Sequence, residues 1–243
     1  MKLDILAFGA HPDDIELSCS GVLVVEKANG KKTGIVDLTK GELGTRGSAE
    51  IRKEEAAKSA EILGVDVRIN LGLADGFFEN NEANQRKVIK VLRKYCPEII
   101  LVNAPEDRHP DHGKAAALLN DAAFLSGLVK IETHESDILQ KPWRPKYVFH
   151  YIQDRYLEPD FVVDITSAMD KKLESIKAYG TQFFNPNATQ EAQTYISTPE
   201  FLDGVIGRSA QFGKKIGVKY AEGFISKKTI GLRNLDSLIL QDT

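Results

Sequence analysis

The sequence predicts a single α/β domain with a mostly parallel sheet covered by helices on both faces. Two observations predict it. Short apolar runs and helical patterns alternate four times across the first half of the chain, the order that builds a parallel sheet with crossover helices. No Pro/Gly/Ser-rich linker, repeat or low-complexity tract divides the 243 residues, a length that one large domain can use. Residues 1–128 read as a Rossmann-like core and residues 129–243 as a less regular part of the same domain.

Leu3 to Gly9 is an apolar run long enough for a buried strand and too short for a helix. The loop His11-Pro12-Asp13-Asp14 follows it. A helical pattern then runs through Leu17, Val22, Leu23, Val25 and Ala28 to Asn29-Gly30. Thr33 to Thr39 is the second strand. Gly41-Glu42-Leu43-Gly44-Thr45-Arg46-Gly47 is a glycine-rich loop. Ser48 caps a helix with Ala56, Ala60 and Leu63 on one face, and Gly64 stops it. Val65 to Leu71 is the third strand, and Asn84 to Tyr95 a helix buried through Val88, Val91, Leu92 and Tyr95. Ile99 to Val102 is the fourth strand. The loop Asn103 to His112 precedes a helix from Gly113 to Leu125. Further on, Tyr147 to Tyr151 and Phe161 to Asp164 read as strands. Leu173, Ile176 and Tyr179 share a helical pattern, and another runs from Pro199 to Ile216.

Composition narrows the function. A hydrophobic fraction of 42% and a charged fraction of 28% are those of a soluble globular protein. A net charge of −3 supplies no global field for nucleic acid. No apolar stretch reaches membrane-spanning length, and the start lacks the pattern of a signal peptide. Cys19 and Cys96 are the only cysteines and form no pair motif. The expectation is a cytoplasmic protein with two structural thiols.

Two stretches concentrate the chemistry, Ala10-His11-Pro12-Asp13-Asp14-Ile15-Glu16 and His109-Pro110-Asp111-His112. They hold three of the five histidines. In a doubly wound sheet, strand 1 lies in the middle and the chain returns to place strand 4 beside it. Ligands bind in the crevice at the carboxyl ends of those strands. The first stretch follows strand 1 and the second follows strand 4, so chain order alone brings them together. A dinucleotide is excluded there. The turn lacks Gly-x-Gly-x-x-Gly, and Asp13 and Asp14 would repel a diphosphate.

Two imidazoles and a carboxylate suit a catalytic Zn2+ with one open position, and His11, Asp14 and His112 are the candidates. Asp13 is left beside them for general-base work. His109 is placed to stabilise an oxyanion or protonate a leaving amine as imidazolium. Asp111 orients His109 or a ligand from behind. Taken singly, each of these groups reads as well as a helix cap or a satisfied buried residue. Their joint occurrence at two switch-point loops is what favours a site. His134 and His150 have no such company and read as structural or exposed. Arg52-Lys53-Glu54-Glu55 has the pattern of a solvated helix face. Phe77, Phe78, Phe183 and Phe184 read as core or subunit contacts.

At these residues the chain resembles the zinc-dependent N-acetylglucosamine deacetylases of the LmbE-like (PIG-L) family. Their signature is Ala-His-Pro-Asp-Asp-x-Glu near the N-terminus and His-Pro-Asp-His further on, and both are intact here. The glycine-rich loop, Asp107-Arg108, Thr194 to Pro199 and Tyr220 to Phe224 look most like the branch that acts on N-acetylglucosaminyl malate in bacillithiol synthesis. The resemblance implies zinc at His11, Asp14 and His112, with Fe2+ as the alternative metal. It implies Asp13 as base, His109 at the tetrahedral intermediate, Arg52 at the sugar, and Tyr195 on a closing loop that polarises the acetyl carbonyl. Arg108 is assigned to the malate carboxylates by its charge. Relatives of this kind look like trimers or hexamers, so a homo-oligomer is expected, with a small amino-sugar conjugate as substrate and no nucleic-acid or membrane partner. Two rival readings keep the site and change its use. They are a non-haem Fe(II) oxygenase on a two-histidine, one-carboxylate triad and a sugar-binding protein without turnover.

Overall fold

The computed structural model describes residues 1–184 and 192–238. Strand β1 (Ile5–Gly9) is followed by helices α1 (Asp14–Ser18) and α2 (Ser20–Ala28). Next come β2 (Thr33–Thr39), α3 (Ala49–Leu63), β3 (Val67–Leu73), α4 (Glu82–Tyr95), β4 (Ile99–Val102) and α5 (Pro110–Leu125). A two-stranded hairpin, β5 (His134–Glu135) and β6 (Ile138–Leu139), stands apart. The second half adds β7 (Tyr147–Tyr151), β8 (Phe161–Asp164), α6 (Met169–Lys177), α7 (Pro199–Ile216) and β9 (Ala221–Ser226).

One seven-stranded sheet runs β3-β2-β1-β4-β7-β9-β8. The first five of these strands are parallel, and β9 is antiparallel to both β7 and β8. β4 lies beside β1, as the doubly wound order requires. The second half therefore completes the sheet of the first.

Alternate side chains of each strand face opposite layers. Leu6 and Phe8 of β1, with Val36 and Ile100, pack under α4 and α5. Ile5 and Ala7, with Ile35 and Leu101, pack under α2 and α6. All of these residues are at most 5% exposed, and burying each large side chain contributes about 1.5–3 kcal/mol. This double coverage is why the strands read as continuous apolar runs.

Several expectations are corrected. The first helix is two. It breaks at Cys19 because the Glu222 carboxylate of β9 accepts from Gly21 N at 3.0 Å and Val22 N at 2.8 Å, capping a new helix start. Glu222 is paired in turn with buried Lys172 Nζ at 2.6 Å. Strand β3 starts and ends two residues later than its apolar run suggests, and β9 has no sequence signal strong enough to name it. Helix α5 starts at Pro110, so Asp111 and His112 lie in its first turn, with His109 as N-cap. Phe78 and Phe183 are buried, but Phe77 and Phe184 are 77% and 50% exposed and are not core. Arg52 is buried and faces inward, unlike its neighbours Lys53 and Glu54. Cys19 is buried and Cys96 partly so, both as free thiols. His150 is buried, with Nδ1 2.7 Å from Asn103 O, and His134 is exposed.

Candidate functional site

Every polar side chain of the central cavity comes from a segment beyond the carboxyl end of a parallel strand or from an element folded over those ends. β1 delivers His11, Asp13 and Asp14. The glycine-rich loop after β2 delivers Leu43 to Arg46, and the turn after β3 delivers Asp75. Arg108, His109 and His112 follow β4, and Gln153 and Asp154 follow β7. Tyr195 and Arg208 close the far side of a cavity of about 320 Å³.

Asp14 joins the two motifs. Its Oδ2 accepts from His11 N and from Asn103 Nδ2, each at 3.0 Å. Its Oδ1 accepts from Gln153 Nε2 at 2.8 Å and lies 3.2 Å from His112 Nε2. His11 Nδ1 is 3.8 Å from Asp14 Oδ2. Each ring has its other nitrogen on a carboxylate. His11 Nε2 is 2.9 Å from Asp75 Oδ1 and 3.4 Å from Asp111 Oδ2. His112 Nδ1 is 2.6 Å from Asp107 Oδ2. Such outer carboxylates fix the tautomer of a metal-ligating histidine and leave the inner lone pair free. The inner nitrogens, His11 Nδ1 and His112 Nε2, both face Asp14. This donor set fits a divalent cation.

Two groups of three ligand atoms lie within 4.8 Å of one another, His11–His109–His112 and His11–Asp75–Asp111. Among the described residues neither group contains Asp14, and the first joins His109 to the expected pair of histidines in its place. The second contains a carboxylate, Asp75, that no motif pointed to. Burial disfavours charge on both rings but is outweighed by carboxylates. Asp111, Asp75 and Asp14 raise His11 to about 10, and Asp14 with Asp107 raises His112 to about 9. Asp14 responds in the opposite sense: its burial is outweighed by His112 and His11, and it is held well below the usual carboxylate range.

Asp13 is different in kind. Its carboxylate makes no capping bond, and its backbone sits at φ 117°, a strained conformation for a side-chain-bearing residue. Burial pushes its pKa up to about 7, against the pull of Arg52 and with the push of Asp14. A base poised near neutrality is what proton transfer at physiological pH asks for.

His109 is half-buried, its ring centroid 4.6 Å from that of His11 and 5.4 Å from that of His112. Burial and the two neighbouring rings lower its pKa. Its Nδ1 accepts from Asp111 N at 3.3 Å, so the neutral ring carries its proton on Nε2. This favours a neutral N–H donor over the expected imidazolium. Asp111 does not orient His109 through its carboxylate. That carboxylate accepts from Gly76 N at 2.8 Å, lies 3.1 Å from Lys114 Nζ, and approaches His11.

Arg52 lines the cavity and donates to Gln182 Oε1. The glycine-rich loop wraps it: a Cβ on Gly41, whose φ is +64°, would collide with Arg52 Nη1. Arg108 lines the cavity and is paired with an acid. Its Nε donates to Asp154 Oδ2 at 2.9 Å, and its guanidinium stacks 4.4 Å over the Tyr195 ring. The Tyr195 hydroxyl is 3.1 Å from Asp154 Oδ1. Asp75, Asn103, Gln153, Gln182 and Arg208 are the contributors that sequence reasoning missed, and Asp107 was noted only in the resemblance, without a role. Asp75 and Gln153 also lie just past strand ends, and that position was the signal available for them.

The family description GlcNAc-PI de-N-acetylase (PIG-L) matches residues 6–123. A conserved protein from Thermus thermophilus, TT1542, aligns with a TM-score of 0.84 at 34% identity, over 95% of this chain and 98% of that one. The chain belongs to the PIG-L/LmbE-like deacetylase family. It is 28% identical to the diacetylchitobiose deacetylase of Thermococcus kodakarensis, covering 90% of this chain and 81% of that one. It is also 27% identical to a 4-oxalmesaconate hydratase of Pseudomonas putida, over 73% of each. The PIG-L match spans the two motifs, β1 to β4 and most of α5. Among the described residues, no helix is long and apolar enough to cross a membrane.

Proposed function

We propose that this PIG-L family chain is a zinc-dependent hydrolase that removes the acetyl group from an N-acetylglucosaminyl conjugate, with N-acetylglucosaminyl malate as its substrate. The observation that carries the reading is the convergence of His11, Asp14 and His112 with Asp13 buried beside them at a pKa of about 7.

His11, Asp14 and His112 hold the metal, with Fe2+ as the alternative ion. When bound, the ion supplies Lewis acidity that polarises the acyl oxygen and makes water more acidic. Asp13 accepts the proton of the attacking water and passes it to the leaving amine nitrogen. Its burial keeps that proton away from bulk solvent. His109 donates its Nε2–H to the oxyanion. Arg52, packed under the Gly41 loop, orients the sugar. Tyr195 reaches the acetyl carbonyl once its hydroxyl leaves Asp154. Acetate and the free amine are the products. The protein acts in the cytoplasm as a homo-oligomer.

The similarity to a hydratase supports one competing reading, addition of water to an unsaturated acid at the same site. Acetate release from N-acetylglucosaminyl malate by zinc-loaded protein, with a chelated sample beside it, separates the two. Chelator-sensitive release of acetate supports the deacetylase. Inert N-acetylglucosaminyl malate, N-acetylglucosamine and diacetylchitobiose, together with hydration of an unsaturated dicarboxylate, would replace it.

A further inference from the structure

Beyond Tyr195 the central cavity adjoins a second one of about 290 Å³, lined by Asp154, Tyr156, Tyr195, Glu200, Phe201 and Arg208 among others. Four residues line both: Asp154, Tyr195, Phe201 and Arg208. Of these, Arg208 carries the only positive charge.

The cations near this junction differ in how they are paired. Arg108 is bonded to Asp154, and Arg155 is 3.1 Å from Glu106. Arg208 is partly buried in the middle of α7 and makes a single hydrogen bond, from Nη2 to Leu17 O at 2.7 Å. Among the described residues it has no carboxylate in ion-pair range and no further partner. The acids whose charge acts on it are already committed. Asp154 accepts from Arg108 and Tyr195, Asp107 holds His112 and two backbone N–H groups, and Glu222 holds Lys172. Glu200 is exposed at the rim of the outer cavity. Burial lowers the pKa of Arg208 below the usual arginine range.

A guanidinium offers five N–H donors in a planar fork. One is used here on a carbonyl. A neutral ligand filling the junction would strip water from the rest and give no charge in return, which is costly. An anionic group satisfies both needs, and a carboxylate matches the fork geometry. We propose that Arg208 receives a carboxylate on the aglycone of the substrate, and that the outer cavity beyond Tyr195 is the subsite for that aglycone. The charge assignment made for Arg108 thus passes to Arg208, and Arg108 becomes part of the Tyr195–Asp154 wall between the two cavities.

The inference takes its substrate from the deacetylase reading, so the test separates hydrolysis from binding. The zinc-loaded protein is assayed on N-acetylglucosaminyl malate and on neutral methyl N-acetylglucosaminide. The readout is the ratio of the two kcat/KM values, measured on one preparation, so that a fraction of misfolded protein cancels. Arg208→Gln lowers the ratio at least about tenfold, through KM for the malate compound. Arg208→Lys restores the ratio only in part, to a value between those of Arg208→Gln and wild type, since a point charge replaces the fork. An unchanged ratio in Arg208→Gln, or a ratio that collapses only in Arg108→Gln, overturns the proposal. If neither compound is hydrolysed the deacetylase reading fails, and calorimetry with N-acetylglucosaminyl malate decides the proposal alone. A tenfold or greater loss of affinity in Arg208→Gln, about 1.4 kcal/mol, supports it, and equal affinity or no binding to wild type overturns it.

Discussion

His11 Nε2 lies 2.9 Å from Asp75 Oδ1, across 64 residues of sequence. The other oxygen of Asp75 accepts from Leu43 N at 2.9 Å, and Asp75 N donates to Glu42 Oε1 at 3.0 Å. One carboxylate therefore sets the inner nitrogen of a candidate ligand and pins the glycine-rich loop beside the cavity. Asp75→Ala should raise the zinc dissociation constant about 10–100-fold, the usual cost of losing such a partner. Competition with a chromophoric chelator reads this without any activity assay. An unchanged constant would leave Asp111 as the sole support of His11.

Asp13 should show the opposite balance of stability and function. Its folded pKa of about 7 lies above the ordinary 3.8, so the fold prefers the neutral acid. Stability from this group is complete below the unfolded value and is lost as pH rises to about 7. Asp13→Asn should therefore raise the melting temperature of chelated protein at pH 8, by at least about 2 °C. The same variant should lose about 10²–10⁴ in kcat. Full activity with metal bound would remove Asp13 from the role of base.

The pH profile follows from the same group. Proton abstraction needs the Asp13 carboxylate, and a cation bound beside it favours that ionised form, so kcat/KM of the metal-loaded enzyme should rise with pH and level off at or below about 7. In Asp13→Glu any remaining activity should keep an acid limb at a shifted midpoint, and in Asp13→Asn the limb should vanish. A profile flat from pH 5 to 9 in the wild type would contradict the assignment.

The Lys172–Glu222 pair is a structural test. Both side chains are at most 2% exposed, and Glu222 caps α2 immediately after the first motif. Lys172→Met leaves a buried charge without its partner and should cost about 3–5 kcal/mol in denaturant unfolding. Glu222→Gln with Lys172→Met should recover part of that loss, because both charges are then gone. A loss below about 1 kcal/mol in the single variant would mean that water reaches Glu222.

The sequence by itself determined the sheet centre and the meeting of the two motifs. Apolar runs too short for helices, alternating with helical patterns, read as strands buried on both faces, and in the doubly wound order a returning fourth strand lies beside the first. That is why β2, β4, β7, β8 and α7 have the bounds their patterns indicate, and why His11, Asp14, His109 and His112 converge. Tertiary structure alone decided which carboxylate stands behind His11. Asp75 is an ordinary loop aspartate in sequence, and only the packing of distant loops brings it within 2.9 Å of an imidazole nitrogen, whereas Asp107 reaches His112 from five residues away in the same loop. It also decided which arginine is paired. Arg52, Arg108 and Arg208 carry the same charge, but pairing depends on the acids each meets, and Asp154 reaches Arg108 from the end of β7. The break at Cys19 has the same origin, since the carboxylate that caps α2 lies about two hundred residues away along the chain. Periodicity records which face of an element is buried, whereas contacts between polar groups on different elements leave no periodic trace.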